Sequence, residues 1–526
     1  MKKKLLVICL CVCMMLATTA CEVKENKVDA KKEQAPQANE VLAQKYNATE
    51  IVLSDEEILV DGNAVSENEE AAVYTANDIV FYLEGQDFTY GEGSKEDEHP
   101  QEEADAHTVV HITEPGNYVI SGKLSAGQIA VDLGKDAKKD EEAVVTLILN
   151  GVDITCSVAP GVIFYNVYEC GDDDAENAAK DVDTSAAGAN VIIADNSVNH
   201  VNGSYVARIY ESVELNEAGT EVIDSKKLHK YDAAFYSKRS MNISGEEEGS
   251  GVLNIQAKNE GLDSELHLTI NGGIININSG NDGINTNEDG VSVTTVNGGI
   301  LTIVVNGSTG EGDGIDSNGW LVINGGIVTS AACGFSMDAG IDSDMGIHIN
   351  GGTVIASGNM LDEIAGSEQN YAVFTVTEPI KGGSEIRLMK EDKDNVAGSI
   401  IENDCTNLLI SSPDLEEGTY TLWNGNEKLA VSEISGGMFG MPGGGMFKPG
   451  NGKPGGEMPE FPDGEMPQMP EGGMPEFPEG NMPQRPEGNM PPEFGEFEFP
   501  GGSMGNADAT EEFTIKEGAN MFFIAK

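Results

Sequence analysis

The sequence predicts an all-β chain wound as a right-handed parallel β-helix, a solenoid closed by capping strands. Three observations carry this. The first is Asn-Gly-Gly at Asn271-Gly272-Gly273, Asn297-Gly298-Gly299, Asn324-Gly325-Gly326 and Asn350-Gly351-Gly352, spaced 26, 27 and 26 residues. A period that steady belongs to a stacked architecture, in which each repeat presents the same turn at the same place. The second is the residues that follow each turn. Ile274, Ile300, Ile327 and Thr353 come first, then Ile275, Leu301, Val328 and Val354, and two positions on Ile277, Ile303, Ser330 and Ala356. Aliphatic residues in register suit a ladder of parallel strands, each covering the apolar edge of the one below. The third is the rest of the chain, which alternates short apolar runs with Gly and Asn and shows almost no helical periodicity.

The elements follow in order. Residues 1–20 have Lys2, Lys3 and Lys4, an apolar run from Leu5 to about Leu16 and small residues up to Cys21, which reads as a secretory signal too short to span a bilayer. The end of that signal, Leu16-Ala17-Thr18-Thr19-Ala20-Cys21, resembles a bacterial lipobox. Thr19 and Ala20 fit, although an aliphatic residue is preferred where Thr18 stands. Cys21 is then a lipidated N-terminus anchored to a membrane outside the cell; the alternative is an ordinary secreted protein. Residues 21–48, rich in Lys, Glu, Gln and Ala, read as a flexible tether.

Residues 49–435 carry the β pattern, beginning with Ile58-Leu59-Val60, Val109-Val110-His111-Ile112 and Tyr118-Val119-Ile120. The stretch Gly171–Asn190 is acidic and patternless, a surface insertion between turns of the helix. Val373-Phe374-Thr375-Val376, Leu408-Leu409-Ile410 and Tyr420-Thr421-Leu422-Trp423 would close the far end, because an open edge of strands invites further chains to add. Residues 436–505 repeat Met-Pro, Pro-Glu-Gly and Glu-Phe-Pro, a low-complexity composition that builds neither ladder nor helix and should be disordered. Within 506–526, Phe513-Thr514-Ile515 and Met521-Phe522-Phe523-Ile524 read as terminal strands, which makes the Pro-rich segment an insertion before them.

The formal net charge is −58, and removing residues 1–20 takes away three lysines and no acid, leaving 28 basic against 89 acidic residues, or −61. That excludes nucleic acid and anionic lipid headgroups as partners, since phosphate binding needs clustered Lys and Arg. It favours cations or high solubility. Cys156, Cys170, Cys333 and Cys405 stand at no metal-finger spacing and read as buried thiols, with Cys156–Cys170 open as a disulfide.

A second series runs between the Asn-Gly-Gly turns: Glu260-Gly261-Leu262-Asp263, Asp282-Gly283-Ile284-Asn285, Asp313-Gly314-Ile315-Asp316 and Ala339-Gly340-Ile341-Asp342-Ser343-Asp344. With the aliphatic residue inward, its neighbours face outward. Stacking then brings Asp263, Asn285, Asp316 and Asp342 into vertical register, with Asp282 and Asp313 a short step away and Asp344 beyond. Like charges about 4.8 Å apart repel strongly. Calcium answers this, because it takes six to eight oxygens from carboxylates, amides and carbonyls. The alternative is that these Asp and Asn residues only make turns. The spacing is not that of nine-residue calcium rolls.

Tyr236-Ser237-Lys238, Ile243-Ser244-Gly245, Glu260-Gly261-Leu262-Asp263, Ile270-Asn271-Gly272-Gly273 and Asp282-Gly283-Ile284 resemble a bacterial carbohydrate-binding domain family. Upstream, Gly116-Asn117-Tyr118-Val119-Ile120-Ser121-Gly122 and Leu147-Ile148-Leu149-Asn150-Gly151 share the likeness, which covers roughly residues 50–435 and the final strands. The resemblance implies a secreted, polysaccharide-lyase-like parallel β-helix that binds calcium and plant-wall polysaccharide such as cellulose or polygalacturonate. The acidic insertion departs from that pattern.

A β-helix lyase needs an Arg or Lys base, yet Gly261 to Gly358 contains neither, the nearest being Lys238, Arg239, Lys258, Lys381 and Arg387. A pectin hydrolase would carry Gly-His-Gly, which is absent, and His267 and His348 stand in strand-like runs. The expectation is a non-catalytic surface binder, with a structural stalk or adhesin and a pectin-active enzyme as alternatives. At −61 a polyuronate would be held through calcium; a neutral glucan would lie on a flat β face, with Trp320 and Tyr236 as candidate stacking residues.

Overall fold

In the computed structural model, residues 34–171, 174–434 and 509–525 are described. The signal, Cys21 and the 436–505 segment lie outside them.

The Asn-Gly-Gly turns place the strands on either side of them in two parallel ladders. Met241–Gly245, His267–Ile270, Val293–Val296, Trp320–Ile323 and Gly346–Ile349 stack in the first. Val252–Ala257, Ile274–Ser279, Ile300–Val305, Ile327–Ala331 and Thr353–Gly358 stack in the second. A third, shorter-stranded ladder holds Val162–Asn166, Ala233–Ser237, Glu260–Ser264, Ile284–Thr286 and Ile315–Ser317. From Met241 the chain visits first, second and third ladder in unvarying order. The first two belong to one 26-stranded sheet and the third to an eight-stranded one, so the described chain is all-β with large parallel sheets.

The last glycine of each turn has φ of +91°, +88°, +84° and +80° at Gly273, Gly299, Gly326 and Gly352. A Cβ on Gly326 would also lie 2.8 Å from the Gly299 carbonyl oxygen of the repeat above, so both backbone angle and stacking exclude a side chain. Of the two aliphatic residues after each turn, the second points inward. Ile275, Leu301, Val328 and Val354 are at most 1% exposed, whereas Ile300 and Ile327 stand out from the sheet. With Ile270, Val296, Ile323 and Ile349 from the first ladder and Leu262, Ile284 and Ile315 from the third, they fill one core. Truncating any one of the Ile or Leu side chains to Ala would cost about 2–5 kcal/mol.

The far end closes by reversing strand direction. Cys405–Ser411 pairs antiparallel with Thr353–Gly358, then with Tyr371–Ile380. The terminal strand Ala519–Ala525 runs parallel to Tyr371–Ile380, and Phe513–Ile515 pairs with Gly418–Asn424. Phe374, Phe513 and Phe522 pack into a second core there. All four cysteines in the described residues are free, so Cys156 and Cys170 form no disulfide.

Two elements depart from the sequence reading. Part of the expected tether is the helix Gln34–Tyr46. Its Leu42, Ala43 and Tyr46 lie one turn apart on one face and cover Val119, Ile148 and Ala194. Tyr46 and Lys45 also bond Glu246, and Asn39 is 2% exposed between Ser121 and Asn150. The other element is an antiparallel hairpin, Val206–Leu215 with Val222–Tyr231, inserted just before the third-ladder strand Ala233–Ser237.

Candidate metal centre

The bend from second to third ladder repeats a Gly–aliphatic pair flanked by acids, with Asn285 and Ala339 replacing an acid once each. Gly261 permits it: a Cβ there would sit 2.3 Å from an Ile277 methyl and 2.5 Å from the Gly283 carbonyl oxygen. Asp263, Asn285 and Asp316 are direct register partners. Asp342 follows beneath, its amide donating to the Ile315 carbonyl at 2.7 Å, although 339–344 forms no strand. A second column runs beside it, because Gly261, Gly283 and Gly314 donate to the carbonyls of Asp282, Asp313 and Ala339. Glu260, Asp282 and Asp313 are therefore stacked as well.

The upper part of this column is the tightest acidic group. Asp232, Glu260 and Asp263 each bring a carboxylate oxygen within 4.8 Å of the others, the one such group among the described residues. They are 7%, 5% and 0% exposed. Asn287 donates to both oxygens of Asp263, at 2.9 and 3.0 Å, and Asn285 donates to Glu260 Oε1 at 3.2 Å. Glu260 Oε2 and Asn285 Oδ1 are buried with no hydrogen-bond partner. Lys230, from the hairpin, pairs with Asp232. Burial first, then the neighbouring carboxylates, push Glu260 and Asp263 well above the usual carboxylate range, and Asp232 in the same direction. One ammonium faces three carboxylates, so the group is short of positive charge.

The lower part is looser and more open. Asp282 accepts from the Asp313 amide at 2.7 Å, and Asp313 from the Ala339 amide. Asp362 accepts from the Ser343 amide at 3.1 Å, and Asp338 from Gly312 at 2.7 Å. Burial, reinforced by neighbouring aspartates, raises Asp282, Asp316 and Asp342 to about 7 and Asp313 to about 9. Asp313, Asp316 and Asp342 are half-buried and Asp344 is exposed. All the ligand atoms on offer are oxygens, a set suited to a hard cation.

Of the seven residues predicted from the sequence, Asp263 belongs to the tight group and Asn285 borders it. Asp282, Asp313, Asp316 and Asp342 form the looser column, and Asp344 stands at its exposed edge. Asp232, Glu260, Asp338 and Asp362 join the site without being among those seven. Glu260 was findable, since it stands where Asp282 and Asp313 stand in later repeats. Asp232 left a fainter signal, a single acid in Tyr231-Asp232-Ala233-Ala234-Phe235-Tyr236.

Tyr236 is no stacking platform. It is 1% exposed, its hydroxyl donates to Glu265, and Tyr231 of the hairpin packs on its ring at 5.2 Å between centroids. Trp320 is half-buried at the start of a first-ladder strand. His267 is 2% exposed and neutral, lowered to about 4 by burial, and its Nδ1 accepts from the Val293 amide at 3.1 Å.

A family model described as "Carbohydrate-binding domain-containing protein" matches residues 106–394. No curated protein matches the chain. Among solved structures, a gadolinium derivative of the polysaccharide lyase-like protein from C. thermocellum is 19% identical, covering 61% of this chain and 99% of its own, with a TM-score of 0.29.

Proposed function

The chain belongs to the carbohydrate-binding domain family, and on that premise we propose that it is a non-catalytic, calcium-loaded binder of plant-wall-type polysaccharide, held outside the cell by a lipid on Cys21. We read the three ladders as a right-handed parallel β-helix, since the chain visits them in one fixed order. The observation that carries the metal is the pair of orphaned oxygens, Glu260 Oε2 and Asn285 Oδ1, beside two further buried carboxylates. Buried polar atoms without partners are costly, and calcium takes oxygens of this kind.

The two parts of the column suit different roles. Asp232, Glu260 and Asp263 are sealed, so an ion there would tie the third ladder to the base of the hairpin and meet no glycan. Asp316, Asp342 and Asp344 are open enough to share a calcium with a glycan carboxylate, the route by which so acidic a protein would hold a polyuronate.

The basic residue nearest the tight group supports the non-catalytic reading. Lys230 is raised, although burial opposes this, by Asp232 and its neighbours; a protonated ammonium is no base. A lyase reading has one observation in its favour: Lys238 is lowered by burial and by Arg239. Polygalacturonate retention with calcium and with chelator tests the proposal. Calcium-dependent retention without product is expected. Retention that ignores chelator would remove the shared-ion route, and unsaturated oligouronides would make the protein a lyase.

A further inference from the structure

One part of the acidic insertion, around Thr184, lies back against the outer face of the first ladder. Thr184 is the anchor. Its hydroxyl donates to Asn242 Oδ1 at 2.7 Å and shares a hydrogen bond with Thr269 at 2.7 Å, while Asn242 Nδ2 donates to the Thr184 carbonyl at 2.7 Å. Residues 180–185 thereby become one wall of an open groove of about 430 Å³, within the range of small-ligand sites. Its open floor is Thr295 and Val322 with Asn271, Asn297 and Asn324, the asparagines of three Asn-Gly-Gly turns.

Those asparagines form a ladder of their own. Asn297 donates its amide to Asn271 Oδ1 at 2.9 Å, Asn324 to Asn297 at 2.9 Å, and Asn350 to Asn324 at 2.8 Å. A side-chain amide has two N–H donors and an oxygen with two lone pairs. The ladder uses one donor and one lone pair of Asn297 and of Asn324, so each keeps one of both for a ligand. The floor thus repeats a donor–acceptor pair at the strand spacing of about 4.8 Å. It carries no charge, in a chain of net −58. At the rim Lys180 is already paired with Asp181 at 2.6 Å, leaving Asp183 to repel an anion.

We propose that this groove is a second glycan site, which takes a linear, uncharged polysaccharide through the asparagine ladder and works apart from the acid column. Hydroxyl groups both donate and accept, so a chain of them matches the floor along the stack; a uronate meets only negative charge at the rim. The inference rests on the carbohydrate-binding reading above but concerns a different face.

The test is calorimetric titration of the full chain with cellohexaose and with hexagalacturonate, in calcium-containing buffer. Asn297→Ala removes a floor amide and should weaken cellohexaose binding about three- to tenfold, the worth of one hydrogen bond. Thr295→Trp fills the groove and should weaken it at least about tenfold. Asn276→Ala breaks an amide–amide bond of the same kind, to Asn254 on the second ladder and away from the groove, and should leave affinity within about twofold. Hexagalacturonate binding should be the same in all three variants. Wild-type cellohexaose binding that survives both groove variants, or is lost equally in Asn276→Ala, would overturn the site. Binding of hexagalacturonate alone by the wild type would overturn it while leaving the acid-column reading intact. Binding of neither sugar would overturn both.

Discussion

Two columns of side chains run along the same repeats, one of asparagines at the first turn and one of acids at the second, and only the first satisfies itself. Each asparagine from Asn297 to Asn350 donates to the one above at 2.8–2.9 Å, with no outside partner needed. Apart from Asn285, the acid column has acceptors only. Where Asp282 and Asp313 find donors, these are backbone amides of the next turn, and Glu260 Oε2 finds none. A stack of identical groups is self-sufficient when each group both donates and accepts. When it cannot, protons or a cation must come from solvent.

The largest effect should come from removing a charge in the sealed group. With calcium present, Asp263→Asn should lower unfolding free energy by about 2–3 kcal/mol, because a ligand is lost while its neighbours stay buried. With chelator the same change should be neutral or stabilising, since it relieves repulsion. Urea unfolding in the two buffers reads the difference; an equal loss in both would mean that no cation is held there.

Next is pH. In chelator Asp282, Asp316 and Asp342 are raised to about 7 and Asp313 to about 9, from an unfolded value of 3.8. Between about pH 4 and 9 the folded state then binds more protons than the unfolded one, so stability falls as pH rises. The thermal midpoint should drop from pH 5 to pH 8 in chelator. Added calcium should flatten or reverse that slope, because the metal needs the ionised acids. A midpoint that climbs with pH in chelator would contradict the repulsion.

The smallest effect should follow from making one column resemble the other. Asn324→Asp replaces the donor facing Asn297 Oδ1 with an acceptor. At this exposed position the cost should be about 1 kcal/mol by urea unfolding. No loss would mean that the amide ladder contributes nothing to the stack.

The repeats were legible because turn, inward aliphatic and bend glycine recur in fixed phase, and the register of Asp263, Asn285 and Asp316 followed from that phase. What was not legible came from segments outside the period. The hairpin that buries Tyr236 supplies Tyr231 and Lys230 through contacts that no spacing encodes. Asp232 joins Glu260 and Asp263 only because the hairpin ends where the third ladder resumes. Residues 180–185 lack any pattern, and their place as a groove wall depends on Thr184 meeting Asn242 and Thr269. The helix Gln34–Tyr46 was read as tether because its apolar face is only three residues wide, Leu42, Ala43 and Tyr46.

The reversal of direction at Cys405–Ser411 ends the second ladder, and of that ladder's strands it pairs with the last, Thr353–Gly358, alone. Every earlier repeat meets near-copies of itself above and below. Asn403, just before the reversal, also bonds the carbonyls of Val305 and Ala332, so only duplication or deletion of a repeat upstream of these would leave the terminator unchanged. The length of both columns, and of any surface they present, is therefore open to adjustment one unit at a time by tandem duplication, with no redesign of the ends.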